Sequence, residues 1–261
     1  GRGRPVLMLH GNPTWGYLWR KVVSRLDPER FRMIVPDLIG LGYSDKPRAA
    51  SEHTLENHIA WMGALIDRLG LEDGVLVVQD WGGPIGLGAA QLRPERVTGL
   101  VVLNTAISPP RPGFKASWFH RFARWPVISD LAFRAGQFPQ AFLNIAQGDK
   151  QSIDFEAMEA YVRPLLDPRD NVAPLALARM VPDTATHPSI PALERCLAYV
   201  QGFRGPASIV WGTRDPILGR VLGWVEKNMP DARVWKTRAG HFLQEEVPDE
   251  IADGIHHAAA R

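Results

Sequence analysis

Three residues far apart in the chain, Asp80, Asp215 and His241, each come soon after a short apolar run. Their types are those of a nucleophile, an acid and a base. Asp80 closes Val75-Leu76-Val77-Val78-Gln79 and is followed by Trp81-Gly82-Gly83 and a small-residue segment from Pro84 to Ala90. A buried-strand run, one carboxylate, two glycines and a helix of small residues make the strand, sharp turn and helix of a nucleophile elbow. Glycines suit such a turn because backbone can crowd a neighbouring element only where no Cβ intervenes. The elbow more often carries Ser between two glycines. Here Asp80 takes that place, Gly82 is present, and Val78 replaces the first glycine. Taken alone, the stretch also reads as a buried strand ending in a helix-capping Asp.

The rest of the chain bears on that choice. Asp215 sits in Gly212-Thr213-Arg214-Asp215-Pro216, after the apolar run Ala207–Trp211, and His241 sits in Ala239-Gly240-His241-Phe242-Leu243-Gln244-Glu245-Glu246. A histidine acts as a base only if a partner fixes its tautomer and balances its imidazolium charge, and Asp215 is the natural candidate. After the first strand comes His10-Gly11-Asn12-Pro13-Thr14-Trp15. A glycine turn there can aim the Asn12 N–H above Asp80, and elbow geometry aims the Trp81 N–H at the same space. Two converging N–H groups make an oxyanion hole. His10 is expected to make structural hydrogen bonds. His53, His58 and His187 lie in polar or loop contexts, and His256 and His257 fall on a surface helix.

The elements that must position these residues are short apolar runs alternating with helical segments. The runs are Val6–Leu9, Phe31–Val35, Val75–Val78, Val97–Leu103, Ala207–Trp211 and Arg233–Trp235, with helices expected over Leu18–Leu26, Thr54–Leu69 and Ile85–Leu92. Such alternation implies a mostly parallel sheet with helices on both faces. Ligands of such sheets bind outside the carboxyl ends of the strands, where each motif above falls. From 108 to 195 the alternation stops, and prolines separate short helical pieces rich in Trp and Phe. This reads as a helical lid of 108–195 inserted into a main domain of 1–107 and 196–261. Most of the lid aromatics are expected to form its core.

Composition narrows the function classes. With 261 residues there is material for a sizeable core. A net charge of +2 argues against a nucleic-acid or anionic-membrane partner. No apolar run approaches the roughly 18 residues a membrane span requires. The single Cys196 rules out an internal disulfide, reads as a small buried hydrophobe and fits a cytoplasmic protein.

The motifs His10-Gly11-Asn12-Pro13, Asp37-Leu38-Ile39-Gly40-Leu41-Gly42-Tyr43-Ser44-Asp45-Lys46-Pro47, Gln79-Asp80-Trp81-Gly82-Gly83 and Gly240-His241-Phe242-Leu243-Gln244-Glu245 resemble those of the haloalkane dehalogenases, an α/β-hydrolase family. The likeness is specific through the sheet domain and loose in the lid. It implies an α/β-hydrolase fold, a halogenated alkane substrate, a released halide ion, an aspartate nucleophile, a histidine base, and neither cofactor nor metal. Asp80 would displace halide from an sp³ carbon, forming an ester that water activated by His241 hydrolyses. The Trp81 indole would hold the departing halide. The second donor would be the Asn12 amide, as in part of the family, or a lid tryptophan, Trp118 or Trp125. The family places its acid after one of two strands. Asn104 follows Val97–Leu103 and cannot be an anion, so the choice falls on Asp215. Asp37 and Asp45 are expected to fix their own loop. Relatives carry a strand hairpin before the equivalent of Val6, so the first strand pair is expected to be missing from residues 1–261, leaving an edge near Phe31–Val35.

Other readings share the machinery. A β-lactone decarboxylase also uses Asp and His and is separated poorly by sequence. An epoxide hydrolase needs lid tyrosines to protonate an alkoxide, and only Tyr161, with Tyr199 near the lid's end, is available. A fluoroacetate dehalogenase would need an arginine near Asp80, and none is there. A serine esterase lacks its Ser, and a non-catalytic binding protein would not need the intact set of Asp80, Asp215 and His241.

Overall fold

The computed structural model describes residues 1–111, 113–114 and 116–260. Six parallel strands form one sheet: β1 (Arg4–Leu9), β2 (Phe31–Ile34), β3 (Gly74–Gln79), β4 (Val97–Leu103), β5 (Ala207–Gly212) and β6 (Arg233–Thr237), in the order β2-β1-β3-β4-β5-β6. Every residue of β3 is buried. The reason is period-two alternation with both faces covered. Leu7, Leu9, Leu76, Val78, Leu100 and Val102 point into one apolar layer. Val6, Met8, Val75, Val77, Val101 and Leu103 point into the other. Each such side chain contributes about 1.5–3 kcal/mol by leaving water. β2 forms one edge, as expected, and the described residues supply no strand pair beyond it.

Helices α2 (Leu55–Arg68) and α3 (Gly82–Gln91) cover the first face. The sequence signals for α2 are met: the Thr54 side chain accepts the Asn57 N–H, and Gly70 follows the helix at φ +57°. On the second face, the expected helix over Leu18–Leu26 is a 3₁₀ turn at Gly16–Trp19 running into a short α1 (Arg20–Val23). Ser24 ends it by turning its hydroxyl back onto the Lys21 carbonyl.

The insertion consists of α4 (Trp118–Phe122), α5 (Ile128–Arg134), α6 (Phe155–Val162) and α7 (Ala173–Arg179), with α8 (Ile190–Gly202) leading back to β5. No strand occurs among the described residues of 108–195. Helix α8 runs unbroken through positions 195 and 196, where the sequence reading ended the lid, and its Cys196 thiol meets the Pro84 carbonyl at the start of α3. Phe119, Phe122, Phe133 and Phe138 pack together as a lid core. Trp118 and Trp125 lean on the outside of this cluster and are 63% and 58% exposed. Phe142 and Phe155 are also exposed. Two more helices, α9 (Leu222–Asn228) and α10 (Pro248–Ala258), complete the fold, and α10 packs on the second face beside α1. No described helix is long and apolar enough to cross a membrane.

Candidate active site

Asp80 sits between β3 and α3 with φ +47°, a conformation that non-glycine residues rarely adopt. The surroundings hold it there. Its N–H donates to the Asn104 carbonyl at 3.1 Å, and its carbonyl accepts the Gly83 N–H at 3.0 Å and the Thr105 hydroxyl. Two glycines are obligatory for steric reasons. A Cβ on Gly11 would lie 2.3 Å from Asp80 Oδ1, and one on Gly82 would lie 2.4 Å from the Leu9 carbonyl.

The two carboxylate oxygens of Asp80 face different partners. Oδ1 accepts the backbone N–H of Asn12 at 2.8 Å. Oδ2 lies 3.5 Å from His241 Nε2. On its other side, His241 Nδ1 is 2.8 Å from Asp215 Oδ2. Asp215 is buried, and it also accepts the Asn104 amide at 2.7 Å and the Ile217 N–H at 2.7 Å. The end of β3 with the loops after β5 and β6 thus assembles the three residues the sequence singled out. Burial works against charge on both members of the inner pair. The imidazolium and two hydrogen bonds outweigh it at Asp215, whose pKa is lowered. At His241 the Asp215 carboxylate, reinforced by Asp80, outweighs burial and raises the pKa to about 10.

Asn104 is the residue sequence reasoning undervalued. In the sequence it reads only as a residue that cannot be an anion. Its amide spans β4 and β5, donating to Asp215 and to the Gly212 carbonyl and accepting the Gly212 N–H. Its place at the end of β4, beside the strand that leads into Asp80, was the available signal.

An apolar-walled cavity of about 800 Å³ opens over Asp80 and Trp81, lined also by Pro84, Ile107, Leu193 and Trp224. Trp81 is buried beside it. The Asn12 amide donates one of its two N–H bonds to the Pro174 carbonyl in α7 at 2.9 Å, which leaves one. Trp118 and Trp125, the lid candidates for a second halide donor, are not among the cavity residues, and neither is Asn12, which reaches the site through its backbone N–H on Asp80. Nor are the tyrosines. Tyr161 is buried with its hydroxyl on Glu245, and Tyr199 lies in a separate groove with Phe203 and Arg195. His120 of α4 does line the cavity, and sequence reasoning missed it.

The remaining predicted residues are structural. His10 pairs Nδ1 with the Gly11 carbonyl and accepts the Leu38 N–H on Nε2 at 2.9 Å. Burial keeps its pKa low. Asp37 accepts the Gly16 and Tyr43 N–H groups, each at 2.7 Å, and the Asp45 carbonyl accepts the Gly40 N–H. His53 and His58 differ from the sequence reading: they are buried against each other, Nδ1 to Nε2 at 3.2 Å.

A model of the α/β-hydrolase fold matches residues 4–248. The chain is similar to a haloalkane dehalogenase of Mycolicibacterium paratuberculosis, 33% identical over 97% of this chain and 82% of the relative. It is also similar to a cis-3-alkyl-4-alkyloxetan-2-one decarboxylase of Shewanella oneidensis, 32% identical over 98% of this chain and 82% of that protein. Among solved structures, a variant of haloalkane dehalogenase DatA from Agrobacterium tumefaciens superposes with a TM-score of 0.89 at 27% identity, covering 100% of this chain and 91% of the other.

Proposed function

The chain belongs to the haloalkane dehalogenase family of α/β-hydrolases, and from that premise we propose that it converts haloalkanes to alcohol and halide through an alkyl ester on Asp80. The observation that carries this reading is a carboxylate at the elbow, one oxygen on the Asn12 N–H and the other facing His241.

Oδ2 is the attacking atom, because Oδ1 is already in the hole where the ester carbonyl must sit. In-line attack forms the carbon–oxygen bond as the carbon–halogen bond breaks, and halide leaves with its electron pair. Asp80 is anionic and needs no base for this step. Halide needs hydrogen bonds rather than a proton, and the Trp81 indole with the remaining Asn12 N–H can supply them. Esterification removes the charge of Asp80, one of the forces holding the proton on His241; His241 then gives that proton to solvent, the one proton the overall reaction releases with the halide, and becomes the base for the second step. His241 then takes a proton from water, and the hydroxide adds to the ester carbonyl. The oxyanion on Oδ1 rests on the Asn12 and Trp81 N–H groups. Collapse expels the alkoxide, which takes the proton His241 drew from water and leaves as the alcohol; the acid proton remaining on Asp80 passes to His241, restoring the carboxylate and the imidazolium.

The lid of this reading comprises 108–195, with α8 running from its end into the main domain. A second reading, decarboxylation of a β-lactone, is supported by the Shewanella relative and by the roomy apolar cavity. The epoxide reading loses its acid, since neither Tyr161 nor Tyr199 reaches the cavity. Halide release from a panel of brominated and chlorinated alkanes, with a cis-dialkyl β-lactone assayed alongside, separates the two. The dehalogenase reading expects halide from the panel. Turnover of the lactone alone would replace it with the second.

A further inference from the structure

His120 lines the same cavity as Asp80 and Trp81 and has no part in the chemistry above. Its ring is fixed. Nδ1 lies 2.8 Å from the Ser117 hydroxyl oxygen. That oxygen also caps α4 by accepting the backbone N–H of His120 at 3.5 Å. A serine hydroxyl has one proton to give. When that proton goes to Nδ1, Nδ1 is the acceptor and the ring proton sits on Nε2, and this is the tautomer the proposal uses. Ser117 is the ring's hydrogen-bond partner among the described residues, and in that tautomer Nε2 has a proton to offer a ligand in the cavity that His120 lines.

The ring is also uncharged at neutral pH. Burial pushes its pKa down to about 4, against the opposing pull of Asp80 and with help from Arg124 and His241. A neutral imidazole N–H is a hydrogen-bond donor that keeps its proton, which is what a weakly basic leaving anion requires. The Asn12 amide, by contrast, has already committed one N–H to Pro174.

We propose that His120 Nε2–H donates a hydrogen bond to the halide displaced by Asp80, beside the Trp81 indole. No proton is transferred: the halide departs as an anion and His120 stays neutral. This rests on the dehalogenase reading.

The test is rapid-mixing measurement of enzyme alkylation by a chloroalkane and the bromoalkane of the same chain, together with chloride titration read by tryptophan fluorescence. His120→Leu should slow alkylation by the chloroalkane about ten- to a hundredfold, the range for a lost hydrogen bond to a charged acceptor. The bromoalkane, with its better leaving group, should suffer less, and chloride binding should weaken. His120→Gln, whose amide nitrogen reaches the place of Nε2, should recover most of the loss. Ser117→Ala leaves the ring in place while freeing its tautomer. It should give a severalfold loss with the same bias toward chloride, and it keeps the test decisive should His120→Leu fail to fold. If His120→Leu keeps the wild-type ratio of chloride to bromide rates and the wild-type chloride affinity, or if His120→Gln is no better, His120 is only a wall of the cavity and the proposal falls. Wild-type protein that releases no halide from any haloalkane would overturn the dehalogenase reading itself, and this assignment with it.

Discussion

His241 stands between two carboxylates, with Nδ1 2.8 Å from Asp215 and Nε2 3.5 Å from Asp80. The free enzyme therefore holds an imidazolium, although burial alone would discharge it. Only the inner carboxylate keeps its charge through the cycle. In the proposed mechanism the outer one is neutralised when its ester forms, so the same residue would be a counter-ion in the free enzyme and a base in the intermediate.

That arrangement makes stability depend on pH. The pKa of His241 rises from its ordinary value of 6.5 to about 10 on folding. A raised value means that the folded state holds the proton more tightly. The resulting stabilisation is complete below about pH 6.5 and is lost as pH climbs toward 10. Denaturant midpoints of the wild type should fall across this window, and those of His241→Gln should not. Parallel curves for the two proteins would contradict the assignment.

The division of labour between Asp80 and His241 predicts different failures. Asp80→Ala should abolish turnover, because no neighbouring group can form the ester. His241→Phe should still be alkylated but stall there, which intact-protein mass spectrometry would read as a gain equal to the alkyl group. No adduct with a reactive bromoalkane would reassign the base.

Trp81→Phe keeps an aromatic ring while removing the indole N–H together with part of the ring, and should slow alkylation about ten- to a hundredfold, since donors to a charged acceptor are worth roughly 1.5–3 kcal/mol. Chloride should quench wild-type tryptophan fluorescence saturably, and the variant should lose that response. Asn12→Ala should show a similar loss of rate together with a lower melting temperature, because its amide also ties to Pro174. A melting shift with no change in rate would make Asn12 structural alone.

Glu245 is fully buried at its side chain and is held by Arg20, Lys21 and the Tyr161 hydroxyl. Removing one partner of a buried ion pair costs about 3–5 kcal/mol. Arg20 and Lys21 retain 29% and 35% exposure, so Glu245→Ala should fall near the lower end, about 3 kcal/mol by chemical denaturation. A loss below 1 kcal/mol, the range of exposed pairs, would show that the anchor carries little.

The sheet was legible because its inner strands are buried on both faces and so read as unbroken apolar runs. β4 was bounded to the residue, while β6, at an edge with partly exposed positions, was read two residues short. The elbow, Asp215 and His241 were legible for a related reason: backbone geometry at strand ends decides where those side chains go. The helical character of 108–195 was legible too, but the facing of its side chains was not, because short helices between prolines can turn any face inward. Trp118 and Trp125 turned outward and Tyr161 turned toward Glu245, while His120, unremarkable in sequence, turned toward the nucleophile. The buried contact between His53 and His58 depends on a loop folding back over α2, which spacing alone does not reveal.

The loop that carries His241 is fastened to the insertion more than its position after β6 would suggest. The His241 N–H donates to the Ala146 carbonyl at 2.9 Å, and Gln147 both accepts the Phe242 N–H and donates to the Phe242 carbonyl. Glu246 accepts the N–H groups of Gly240, Gly148 and Asp149, each at 2.9 Å. The two sides of the lid are therefore unequal raw material for evolution. A lineage that remodels α4 and α5 can try new substrates while its base stays in register. A lineage that alters 146–149 stakes specificity and turnover on the same change, and grafting a lid from a relative should succeed only when that short segment stays with its native histidine loop.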